Sequence, residues 1–83
     1  MMTTEQKIER RRSIMSLTAD LRADYGATQD ELRKVELEMD GINYPCARLV
    51  RLSDKRWDLS ARLRMINETI ERRVETFLSE LAA

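Results

Sequence analysis

Histidine is absent from this chain. That removes the side chain that most often serves as a general base near neutral pH and most often binds a metal, so no nucleophilic triad or dyad using His can form. Cysteine occurs once, as Cys46, which excludes an intramolecular disulfide and a thiolate zinc cage and fits a reducing cytoplasm. Proline also occurs once and glycine twice. So few turn-formers exclude a sheet with many turns, and Gly26 and Gly41 alone cannot make a phosphate-cradling loop or a dinucleotide fingerprint. Aromatic residues are 5% of the chain and are not interleaved with the basic clusters as base stacking would need. The net charge is zero, which argues against a polyanion-binding surface over the whole protein, because counterion release needs a surplus of cations. No apolar run is long enough to cross a bilayer, and the opening Met1-Met2-Thr3-Thr4-Glu5 leads into charge, so neither a membrane span nor an export signal is expected.

What is present is 42% hydrophobic and 36% charged residues in a chain of 83. The first figure takes the chain out of the disordered class, and the pair together is the signature of long helices. Thr3 with Gln6 three residues later, or Thr4 one position on, can cap the first helix. Apolar residues then follow a four-three rhythm through Ile14, Leu21, Tyr25, Leu32, Val35, Met39 and Ile42, with Thr28 in the intervening seam position. The run Asp40-Gly41-Ile42-Asn43-Tyr44-Pro45 is the one clear turn: Gly41 suits a left-handed cap, Asn43 suits the next N-cap, and Pro45 is tolerated only near a helix start. Beyond it the rhythm resumes at Leu49, Leu52, Leu59, Leu63, Ile66, Ile70, Val74, Phe77 and Leu81, with Arg56 in a seam position.

The pattern predicts a single all-α domain over residues 1–83, a long antiparallel coiled-coil-like hairpin. Its first arm covers about 4–40, its turn about 41–45 and its second arm about 46–82. Charge supports the pairing independently. Residues 24–40 hold six acidic against two basic side chains, whereas residues 48–64 hold six basic against two acidic. At the open end the signs reverse, Lys7, Arg10, Arg11 and Arg12 lying opposite Glu68, Glu71, Glu75 and Glu80. Gly26 is the point of ambiguity. Tyr25-Gly26-Ala27-Thr28 could close one helix and open another, giving three helices, but the apolar rhythm crosses Gly26 without a change of phase. A continuous arm with a kink there is the expectation. A hairpin this thin is expected to pair with a second copy into a four-helix bundle.

For function, carboxylates sit at helix-surface spacings among arginines, where a solvated face outweighs an acid-base pair. Neither a metal site, a cofactor nor catalysis is expected. The most suggestive feature is apolar excess near the turn: Leu37, Tyr44, Val50 and Trp57, with Cys46, lie there in addition to the seam. Trp and Tyr are enriched at binding hot spots, so these four residues are the candidate contact surface for a protein partner, with completion of a dimer core as the competing reading. The chain reads as a non-enzymatic adaptor, assembly factor or small inhibitor. The alternative is a helical nucleic-acid-binding dimer using Arg48, Arg51, Lys55 and Arg62, which recur near helical spacing on one side of the second arm.

Overall fold

A computed structural model describes residues 2–82. Among them the chain forms three helices and no strand: α1 (Thr4–Leu17), α2 (Ala19–Asp40) and α3 (Ala47–Ala82). The 36 residues of α3 span about 54 Å at 1.5 Å each and form the spine of a body measuring 60 × 20 × 19 Å. α2 folds back along α3, while α1 continues beyond α2 with few contacts to either. The fold is a helical hairpin, and its radius of gyration of 18.6 Å far exceeds the roughly 12 Å of a compact domain of this length.

The N-terminal cap forms as the spacing implies. The Thr3 hydroxyl accepts the Gln6 amide at 3.2 Å, and the Gln6 side chain accepts the Thr3 amide at 3.0 Å, so two otherwise unpaired donors are satisfied reciprocally. The turn departs from expectation at both ends. Gly41 keeps right-handed helical angles (φ −78°, ψ −5°), and α2 ends instead in a tightened turn in which the Ile42 amide donates to the Met39 carbonyl at 3.0 Å. Asn43 does not cap the next helix. The first bond of α3 runs from the Val50 amide to the Cys46 carbonyl at 3.2 Å, so Cys46 is the residue before the helix, while Pro45 disfavours helical angles at Tyr44.

The first arm is interrupted at Thr18, not at Gly26. Gly26 lies inside α2, and a Cβ added there would meet nothing within 4 Å. Thr18 leaves the helix at φ −107°, ψ 5°; its hydroxyl donates to the Ile14 carbonyl at 2.9 Å, and its amide reaches the same oxygen at 3.1 Å. Thr28 makes the same kind of hydroxyl bond inside the unbroken α2, so at Thr18 the bond accompanies the break and is not sufficient to cause it.

The core between α2 and α3 is slight. Its buried apolar side chains are Val35, Leu59 and Ile66, joined by Thr28, whose hydroxyl is satisfied by the Asp24 carbonyl at 2.8 Å. The other expected seam residues of α2 and most of those of α3 are half-buried, Arg56 is exposed, and α1 buries no side chain. Among the described residues no helix is long and apolar enough to cross a membrane.

Candidate functional site

The four turn-end residues are all exposed: Leu37 at 65%, Tyr44 at 67%, Val50 at 61% and Trp57 at 73%. They do not share one surface. At 100° per residue, Leu37 lies about 200° round from the buried Val35 and faces away from α3. Val50 and Trp57, nine and two residues before the buried Leu59, lie about 180° and 160° round from it and face away from α2. The outer face of α3 therefore holds Val50 and Trp57, the tip of the hairpin holds Tyr44, and Leu37 stands alone on the back of α2. Met65, 66% exposed and eight residues beyond Trp57, extends the apolar strip on the outer side of α3. Its eight-residue offset from Trp57 could have found it. Cys46 is a free, half-buried thiol at the base of α3.

The basic stripe has a different setting. Arg48 pairs with Glu38 at 3.5 Å and Arg62 with Asp24 at 3.3 Å, both across the hairpin and both symmetric about Asn43. Asp24, Glu31 and Glu38 recur every seven residues on α2, and Arg48, Lys55 and Arg62 every seven on α3. This is the spacing that lines opposite charges along one edge of a two-helix seam. The pairs are exposed and each contributes well under about 1 kcal/mol, so they fix register and orientation more than stability. Arg51 and Lys55 are exposed and form no ion pair among the described residues. At the open end the charges expected to pair across the arms make no ion pair among the described residues, and α1, which precedes the break at Thr18, has few contacts with α3.

Two arginines reach the break at Thr18. Arg22 donates to the Met15 carbonyl at 2.6 Å and to the Thr18 hydroxyl at 3.3 Å. Arg73 of α3 donates to the Leu17 carbonyl at 3.2 Å and to the Asp20 carboxylate at 3.0 Å. The last carbonyls of α1, left without partners by the break, thus receive guanidinium donors, a favourable placement of positive charge at a helix C-terminus. Asp20 and Arg73 are about 10 Å out of register along the axis. They meet because side chains lean toward the start of their own helix, which in antiparallel helices tilts these two toward each other. The carbonyl partner of Arg73 is invisible in the sequence because no periodicity announces the break at Thr18.

An open concavity lies beside this break between Leu17, Arg73, Phe77 and Glu80. Among the described residues no group of three metal-ligating side chains comes together. Compared with protein-family models, curated proteins and solved structures, the chain matches none.

Proposed function

We propose that this protein is a non-enzymatic protein-protein interaction module, an adaptor, assembly factor or small inhibitor, docking through the outer face of α3. The observation that carries the reading is Trp57, 73% exposed and, by helical register, on the side of α3 away from α2. A large aromatic side chain in water is unused binding energy, and with Val50 beside it and Tyr44 at the tip it forms an anchor of the kind that dominates protein interfaces. The charged arms orient the docking partner. The reading includes self-association into a four-helix bundle and a cytoplasmic setting, which the lone free Cys46 suits.

A photo-crosslinking residue placed at position 57 tests it in extract from the source cells. A discrete protein adduct that is missing when the probe sits at Asp30, and that purified competitor blocks unless it carries Trp57→Ala, supports docking through this face. Adducts that do not depend on probe position, or competition unaffected by Trp57→Ala, defeat it. A nucleic-acid reading draws support from the unpaired Arg51 and Lys55, but Arg48 and Arg62 of the same stripe already face carboxylates. Binding of labelled duplex DNA or structured RNA that weakens steeply with salt would favour that second reading.

A further inference from the structure

The two edges of the α2–α3 pair differ in composition. In α2, Glu31 and Leu32 lie four and three residues before the buried Val35, and so fall on opposite sides of the seam. Arg62 and Leu63, three and four residues after the buried Leu59, divide in the same way on α3. One edge is charged and closes on itself through the Arg48–Glu38 and Arg62–Asp24 pairs. The other carries Tyr25, Leu32 and Met39 of α2 with Leu49, Leu63 and Val74 of α3, all half-buried. A groove bounded by Tyr25, Gln29, Asn67 and Ile70 runs along it.

We propose that this apolar edge is where a second copy of the chain packs. The inference rests on the self-association in the reading above and not on docking through Trp57, which lies on a different face. Three observations choose a copy over a foreign protein. The chain exposes 6763 Å², whereas a compact chain of its mass exposes roughly 5,200 Å². The excess, about 1,600 Å² per chain, matches what each partner of an obligate homodimer covers. With three buried apolar side chains, the hairpin also needs cover as soon as it folds, and the partner always present at that moment is another copy. Finally, the edge is self-complementary in charge. Glu36, one residue after Val35, and Arg56, three before Leu59, both border it, both are exposed, and neither forms an ion pair among the described residues. A two-fold interface brings the same patch to both sides, so each copy offers both signs to the other.

The test is sedimentation equilibrium of the full chain in a Cys46→Ala background, from about one to several hundred micromolar. The unlabelled protein is expected to have about twice the 9.8 kDa chain mass. A bulky maleimide on Ser60→Cys, an exposed site on the apolar edge, should shift it to the single-chain mass and lower its melting temperature, because the edge loses its cover. The same label on Asp58→Cys, on the charged edge, should leave the dimer intact. A single-chain mass for unlabelled protein throughout the range overturns self-association itself. A dimer that tolerates the Ser60 label, or is broken by the Asp58 label, overturns this edge as its interface. Trp57→Ala should leave the mass unchanged, so a failure of partner docking and a failure of this interface read out separately.

Discussion

At position 26 the chain carries a glycine that nothing within the hairpin requires. Its φ is not positive, and an added Cβ would enter open space. A glycine inside a helix costs roughly 1 kcal/mol relative to alanine, so Gly26→Ala is expected to stabilise the protein by about 0.5–1 kcal/mol in urea unfolding. A destabilised variant would mean that something approaches that backbone closely. Leu59 behaves oppositely. Buried to 7% between α2 and α3, its truncation to alanine removes apolar contact and leaves a cavity, an expected loss of about 2–4 kcal/mol, read as a lower denaturation midpoint at unchanged slope. Trp57→Ala, by contrast, should change stability by under about 0.5 kcal/mol, because the ring is 73% exposed and packs against neither arm.

Among the elements, α1 is the least anchored, and the break at Thr18 decides how it is held. Arg73 links the Leu17 carbonyl and Asp20 to α3 across more than 50 residues of sequence. Arg73→Met keeps the aliphatic stem and removes the donors. The expected result is faster amide exchange throughout α1, while the centres of α2 and α3 keep their protection. Uniform loss of protection in all three helices would show that α1 belongs to the same cooperative unit. The helices show where sequence reasoning reaches. The four-three rhythm located α2 and α3, the capping box located the start of α1, and the charge polarity of residues 24–40 and 48–64 gave the antiparallel pairing in which Arg48 and Arg62 find their partners. The break at Thr18 escaped because it leaves no mark on the apolar pattern, and a threonine does not announce it, since Thr28 makes the same hydroxyl bond inside an unbroken helix. The split of the turn-end residues was legible in principle, since Leu37 lies two residues from the seam residue Val35 and must face away from α3. Counting apolar residues near the turn hid this, because nearness along the chain is not nearness on a surface.

For the whole molecule, a 60 Å body with so slight a core has little stability to spare as a single chain. Cover by a second copy would make that stability depend on concentration, since anything that binds only the folded form adds to it by mass action. The melting temperature should therefore rise as the protein is concentrated from about 1 to 100 μM, a change a monomer cannot show. Salt gives the complementary reading. The cross-hairpin ion pairs are exposed and screened beyond about 10 Å at 0.1 M, so raising salt to 1 M should move the melting temperature only slightly if apolar cover provides most of the stability. A large drop with salt and no dependence on concentration would place the stability in the charged edge, and the hairpin would then have to stand alone on its three buried apolar side chains and its ion pairs.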